Sequence, residues 1–242
     1  MKHTYTHNNS DSNEYYKQTN NERDPYIACF PTSMINLAKG VLNLQLPTGD
    51  DKTGGYKQPE DQFDWYMHNS PDVKEWVDNY CKTLWVRDYL KKGGDIRELW
   101  EIEVYCFNKW IGYNCCKIDY NATRRSIIEE IQRGRGVVTT GKFCGFGHAV
   151  CIVGFKAESE HFDNDIELNG DNISYLIDDT NINCITKIIV DDSYGNPLNN
   201  YKPVGVGGDN VEHPCNDFFK AIDKSDANSE ENFYAITMMK KE

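Results

Sequence analysis

The spacing of apolar residues changes once along this chain of 242 residues, near Gly136. Before that point apolar residues recur every three to four positions, which predicts helices over 29–39, 71–84, 96–111 and 121–134. After it, short runs rich in β-branched residues predict strands over 137–140, 149–155, 173–177, 186–190 and 232–238. The run 149–155 is apolar without interruption, which is typical of a strand that is buried on both faces.

A helical half followed by a strand-rich half predicts an α+β protein with a mostly antiparallel sheet. We interpret residues 1–24, which are polar, as an N-terminal arm and residues 25–242 as a single domain. Within that domain the helical part covers about 29–134 and the sheet part about 136–242. Clusters of Pro, Gly and Asp predict a loop over 45–62.

The composition of the chain limits the classes of partner that we expect it to bind. The formal net charge is −12, and no basic stripe is present, so we expect no nucleic-acid partner. There is no run of about 18 apolar residues, so we expect no membrane insertion. The first 21 residues lack the apolar stretch of a secretory signal, which predicts synthesis in the cytoplasm.

The nine cysteines are odd in number, irregularly spaced and without a Cys-x-x-Cys pair, which indicates reduced thiols rather than a zinc site. His213 and Cys215 could supply two metal ligands, but nothing completes the set. Residues 165–171 imitate the first half of a calcium loop, and position twelve of that loop is Leu176 instead of Glu. An acidic surface loop is the favoured interpretation, with calcium as the alternative, and we expect no cofactor.

Three short motifs contain the residues that could perform catalysis. Cys29 opens the predicted first helix and is followed by Pro31, which suits a first helical turn. A helix N-terminus and an imidazolium both stabilise a thiolate, the form of cysteine that acts as a nucleophile. His148 begins the buried strand at 149–155, and Asp191 and Asp192 end the strand at 186–190. On a strand, adjacent side chains point to opposite faces, so only one aspartate can reach the histidine.

The segments Cys-Phe-Pro-Thr-Ser at 29–33, Gly-His-Ala-Val at 147–150 and Val-Asp-Asp-Ser-Tyr-Gly at 190–195 together resemble the papain-like cysteine peptidases. The nearest group is that of peptidase domains that remove double-glycine leaders from bacteriocins, with related bacterial and phage cell-wall hydrolases. The resemblance spans roughly 15–200 and implies a papain-like fold. It assigns Cys29 as nucleophile, His148 as general base and acid, and Asp192 as the residue that orients the histidine. It also implies an oxyanion-binding amide upstream of the cysteine, for which Gln18 is the first choice and Asn20 or Asn21 the alternatives.

These expectations favour a hydrolase of amide bonds, most of all a phage endolysin-type peptidoglycan endopeptidase or amidase that reaches the wall through holin lesions. Its partner would be a peptide or peptidoglycan substrate. An intracellular protease that processes proteins is the close alternative. A catalytically silent binding module, or an acyl transferase on the same scaffold, is the alternative from another class.

Overall fold

The computed structural model describes residues 3–23, 25–81, 96–143, 147–159, 182–225 and 232–241. Within them the protein is an α+β structure with a mostly antiparallel sheet, as the sequence predicts. The predicted strand at 173–177 and the acidic segment at 165–171 lie outside the described residues. No described helix is both long enough and apolar enough to cross a bilayer.

Most of the helices precede most of the strands along the chain. The described α-helices are α1 (Cys29–Ile35), α2 (Asp50–Thr53), α3 (Pro59–Asn69), α4 (Pro71–Cys81), α5 (Ile96–Ile111), α6 (Arg124–Gln132) and α7 (Cys215–Ala221). A wider π-helical turn, Asn36–Val41, extends α1. Short 3-10 helices occur at Ser12–Glu14, Gln18–Asn20, Ile182–Cys184 and Pro197–Asn199.

Within the described ranges the sheet has seven strands, and each pairing is antiparallel. The strands are β1 (His3–Asn8), β2 (Cys116–Ala122), β3 (Val137–Gly141), β4 (His148–Ser159), β5 (Ile185–Asp191), β6 (Val211–Pro214) and β7 (Phe233–Met238). Their order is β2-β7-β3-β4-β5-β6, with β1 also paired to β4. The first half of β4 pairs with β3 and its second half with β1, while β5 lies along its other edge.

Two apolar layers cover the two faces of the sheet. Along β4, Cys151 and Val153 face the layer that contains α1, α3 and α5, whereas Val150, Ile152 and Phe155 face the layer that contains α6 and α7. All five are at most 1% exposed, which confirms the prediction of a strand buried on both faces. This central strand therefore fixes the position of its first residue, His148.

Local signals explain where the expected bounds differ from the observed ones. The loop predicted over 45–62 is wrong in part, because it contains α2 and the first turn of α3, which starts with a proline at its first position. The helix predicted from 121 starts at Arg124, because Thr123 and Ser126 form a capping box. Strands β1, β2 and β6 were not predicted, since their residues are mostly polar or only partly buried.

Candidate active site

Cys29 is the first residue of α1 and is partly exposed, although the rest of that helix is buried. Two hydroxyls anchor this end of the helix. Thr32 Oγ1 donates to the carbonyl of Ala28 at 2.7 Å, and Ser33 Oγ donates to the carbonyl of Ala149 at 3.0 Å. The thiol and the free N–H groups of the first helical turn are therefore held against the start of β4.

The neighbouring residue on β4, His148, is 4% exposed. Its Nε2 lies 2.7 Å from Oδ1 of Asp192, the residue that follows β5. The rings of Tyr194 and Tyr201 stand edge-on to the imidazole, with ring centres 6.3 Å and 6.1 Å away. The imidazole is thus oriented by a carboxylate on one edge and by two aromatic rings beside it.

The carboxylate of Asp192 has a partner on each oxygen. Besides His148, Oδ1 accepts the backbone N–H of Tyr194 at 2.9 Å, and Oδ2 accepts the hydroxyl of Tyr201 at 3.1 Å. The carbonyl of Asp192 accepts the hydroxyl of Tyr15 at 2.5 Å. These donors hold the Asp192 carboxylate in one orientation.

The thiol of Cys29 lies close enough to His148 and to the backbone of Ala149 for both to lower its pKa. Because Asp192 takes Nε2, Nδ1 is the ring nitrogen left to face the sulfur. Burial raises the pKa of the Cys29 thiol, but the hydrogen bond and positive charge of His148 outweigh it, so the pKa falls below its ordinary value.

The pKa of His148 is shifted in the opposite direction to that of the thiol. Burial lowers the pKa of His148, but the hydrogen bonds to Asp192 and Cys29 together raise it from 6.5 to about 10. A lowered thiol pKa beside a raised imidazole pKa favours transfer of the thiol proton to the imidazole.

A third acidic group lies close to this pair. Glu103 on α5 is 3% exposed, and burial, with smaller contributions from Asp64 and Cys29, raises the pKa of its carboxyl well above its ordinary range. Burial therefore favours the neutral form of Glu103. A neutral carboxyl does not oppose the negative charge on the Cys29 sulfur.

Gln18 is buried beside the site, and its amide is engaged. The amide oxygen accepts the hydroxyl of Ser193 at 2.8 Å, and the amide nitrogen donates to the carbonyl of Pro25 at 3.2 Å. Its backbone N–H donates to the carbonyl of Ser193 at 3.0 Å. Gln18 thus joins the chain just before Cys29 to the chain just after Asp192.

The other candidates from the sequence, Asn20 and Asn21, contact residues at the start of α3. Asn20 is exposed, and its carbonyl accepts the amide of Gln58 at 2.9 Å. Asn21 is buried, and its amide, in the orientation that satisfies both atoms, donates to the carbonyl of Lys17 and to the Glu60 carboxylate, each at 3.1 Å. These contacts tie the segment to α3.

Asp191 points away from His148. Its Oδ2 accepts the hydroxyl of Ser10 at 2.7 Å, and its Oδ1 accepts the backbone N–H of Asn210 at 3.0 Å. Burial first, and then the nearby carboxyl of Asp209, raise the pKa of Asp191 to about 7. Of the two adjacent aspartates, Asp192 is the one that contacts the imidazole.

The structure adds residues that the sequence reasoning missed. Tyr15, Ser193 and Tyr201 hold Asp192 and Gln18 in place; Tyr15 and Tyr201 belong to no motif, and Ser193 lies in the motif at 190–195 without a predicted role. Tyr201 reaches Asp192 because it and Asn200 both adopt left-handed backbone angles, with φ of 54° and 52°. The only available signal was an aromatic residue in a loop rich in Gly, Pro and Asn.

The residues that the sequence singled out as weak metal ligands lie apart from this site. His213 is on β6 against the rings of Phe143 and Phe218, and Cys215 begins α7. Among the described residues no cluster of three or more His, Cys, Asp or Glu side chains could hold a metal ion. The partial calcium loop at 165–171 is outside the described ranges.

Comparisons with protein-family models, with curated proteins and with solved structures find no match to this chain.

Proposed function

We propose that the protein is a cysteine hydrolase that cleaves amide bonds, with Cys29, His148 and Asp192 as its catalytic residues. One observation supports this most directly. His148 bonds through Nε2 to a buried carboxylate at 2.7 Å and lies close enough to a helix-start thiol to lower the pKa of that thiol. A nucleophile, a base beside it and a third group that orients the base are what nucleophilic catalysis requires.

In the proposed reaction the Cys29 thiolate forms a bond to the substrate carbonyl carbon, and the carbonyl electron pair moves to oxygen. His148 then donates its proton to the amide nitrogen, the C–N bond breaks, and an acyl-thioester remains. Water attacks the thioester while His148 takes its proton, and the C–S bond breaks to restore the thiolate. Asp192 keeps the imidazole in the required tautomer and stabilises the imidazolium.

The oxyanion formed on attack needs hydrogen-bond donors. The backbone N–H of Cys29 at the helix start is one proposed donor, and the side-chain amide of Gln18 is the other. Gln18 Nε2 carries two hydrogens, and Pro25 accepts one of them. The second is left for a substrate oxygen.

We further propose that the fold is papain-like. The support is the chain order of the candidate residues, with a helix-start cysteine, a histidine at the start of a central strand and an aspartate after the adjacent strand. For the substrate, a phage endolysin-type action on peptidoglycan remains a proposal, and intracellular processing of a protein is the alternative. Zymography on purified sacculi beside a casein digest separates the two.

The decisive test compares two partly exposed thiols. Cys29 and Cys184 are both free and partly exposed, and among the residues that the structure describes it is Cys29 that lies beside an imidazole. We expect iodoacetamide to alkylate Cys29 faster than Cys184 at pH 6 to 7, and Cys29→Ala to abolish amide hydrolysis while Cys184→Ala keeps it. Peptide mapping by mass spectrometry gives the first result and an activity assay the second.

Equal alkylation rates for the two thiols would favour the silent binding module. Fast alkylation of Cys29 with acyl transfer to an added amine, in place of hydrolysis, would favour the acyl transferase. Full hydrolytic activity in Cys29→Ala would end the proposal.

A further inference from the structure

Exposed apolar side chains are concentrated on two segments beside the candidate site. Among the described residues, six large apolar side chains are exposed, and Met239 is the single one that lies elsewhere. The other five lie on the turn at 25–28, which leads into Cys29, or on the loop at 193–210, which follows Asp192. They are Tyr26 at 79%, Ile27 at 42%, Leu198 at 58%, Val204 at 51% and Val206 at 54%.

The two segments are linked to each other. Gln18 bonds to Pro25 in the turn and to Ser193 in the loop. The loop packs against the same stretch of chain, because a Cβ built on Gly205 would lie 2.3 Å from Oγ1 of Thr19. The turn and the loop are therefore joined through Gln18 and Thr19, and they adjoin Cys29 and Asp192 in the chain; we call their five exposed apolar side chains the apolar rim.

The rim is held by backbone hydrogen bonds. Gly205 N–H donates to the carbonyl of Tyr194, the N–H of Asn196 donates to the carbonyl of Val206, and the N–H of Asp192 donates to the carbonyl of Gly208. Exposing valine side chains to water on a fixed loop is unfavourable in free energy, and contact with an apolar partner would remove that surface from water.

The position of the rim favours a peptide as the molecule that binds it. A second copy of the chain or a membrane seated on the rim would cover the thiol, and the net charge of −12 opposes contact with anionic lipid. A peptide laid across the thiol contacts both segments and places its own amide at the sulfur. Apolar side chains on that peptide would bury the rim.

We propose that the apolar rim selects peptide substrates with apolar side chains on the residues that flank the cleaved bond. This inference rests on the proposed hydrolase function and narrows its substrate class. It favours polypeptide substrates over amide bonds to sugars, because a sugar offers the rim little apolar surface.

The test is cleavage-site profiling on a peptide pool made from digested, denatured proteins, with iodoacetamide alkylation measured in parallel. We expect Leu, Ile, Val, Met and Phe to be enriched on both sides of the cut. Ile27→Asp and Val206→Asp are each expected to slow cleavage at those sites by about tenfold or more, since burying or losing a few methylene groups has effects of that size on specificity. Tyr26→Ser is a milder variant that adds no charge to the rim.

Met239→Asp is the matched control, because it makes the same change at an exposed apolar residue away from the rim. It is expected to leave the cleavage profile as it was. Iodoacetamide carries no side chain for the rim to recognise, so its rate of reaction with Cys29 should be unchanged in Tyr26→Ser, which adds no charge near the thiol.

The two failures are distinct. If iodoacetamide does not react faster with Cys29 than with Cys184, the hydrolase proposal fails and the rim proposal fails with it. If Cys29 reacts fast but cuts peptides without apolar enrichment, or cuts none, the rim proposal alone is overturned.

Discussion

Asp191 and Asp192 are adjacent in the chain and both are fully buried, yet the groups around them differ in charge. Asp192 faces an imidazole with a pKa of about 10, a backbone N–H and a tyrosine hydroxyl. Asp191 faces a serine hydroxyl, a backbone N–H and a second carboxyl, that of Asp209. One aspartate therefore has a cation beside it and the other has an acid.

Strand geometry explains the separation. Consecutive side chains at the end of β5 leave the strand in opposite directions, so a shift of one residue would exchange the two environments. The charge of the neighbour then decides the role. A carboxylate beside a cation supports an ion pair, whereas a carboxyl beside another carboxyl holds a proton near pH 7 and ties segments together.

The largest expected difference between the two sides is in proton affinity. On the Asp192 side, His148 is expected to titrate near pH 10 in place of 6.5, because the contacts to Asp192 and Cys29 outweigh its burial. The matched histidine is His213, which is also buried; burial lowers its pKa below 6.5, although the negative charge of Asp192 acts in the opposite direction. Nitrogen-detected NMR titration of the two imidazoles measures both values.

A stability change accompanies that shift. Because the folded protein raises the pKa of His148, the stabilisation from its protonated form is complete below pH 6.5 and is lost as the pH rises through about 10. Denaturant unfolding of the protein and of His148→Gln across that interval should show the difference shrinking. A His148 that titrates near 6.5 would remove the contrast between the two aspartates.

The next largest effect is on reaction rate. Asp192→Asn should lower the hydrolysis rate by at least about 10²-fold, since the comparable change in a serine-protease triad costs about 10⁴-fold. Asp191→Asn keeps its neighbours and lies on the other side of the strand, so the rate should stay close to that of the unmodified protein. Steady-state kinetics on the same substrate compares them. A larger loss in Asp191→Asn would reverse the roles of the two residues.

The sequence predicted the fold class and the four strands β3, β4, β5 and β7, because uninterrupted apolar runs leave few alternatives. It could not predict β1, whose His-Thr-Tyr-Thr-His-Asn pattern becomes a strand only when the edge of β4 is available. The residue types and their order along the chain identified Cys29, His148 and the two adjacent aspartates as candidates. The sequence could not supply Tyr201, since that contact depends on loop backbone angles that no residue pattern specifies.

A smaller effect is expected from Tyr201→Phe, which removes the hydroxyl that holds Oδ2 of Asp192. Loss of one hydrogen bond to a charged group should reduce kcat by roughly tenfold, with KM little changed, because Tyr201 acts through Asp192. Tyr194→Phe is the comparison, since it keeps the edge-on ring and the backbone N–H, and a smaller loss is expected there. An equal loss in both variants would indicate that ring packing, and not the hydroxyl, positions Asp192.

The smallest expected effect is on the Asp191 side and concerns stability. The pKa of Asp191 is raised from 3.8 to about 7, so the stabilisation from its protonated form is complete below pH 3.8 and is lost as the pH rises through about 7. Ser10 donates to this carboxyl, so Ser10→Ala should cost about 1 kcal/mol at pH 5 and about 2 kcal/mol at pH 8, where the acceptor is charged.

Ser12→Ala is the control for that variant. Ser12 is an exposed residue on the same segment whose hydroxyl accepts the side chain of Asn210 instead of contacting Asp191. Its removal should cost less than that of Ser10 and should show no dependence on pH. Urea unfolding at the two pH values measures both variants, and alkylation of Cys29 should proceed at the same rate in each. If Ser10→Ala slowed that alkylation, the two aspartates would be coupled through β5, and their division into a catalytic and a structural carboxyl would be wrong.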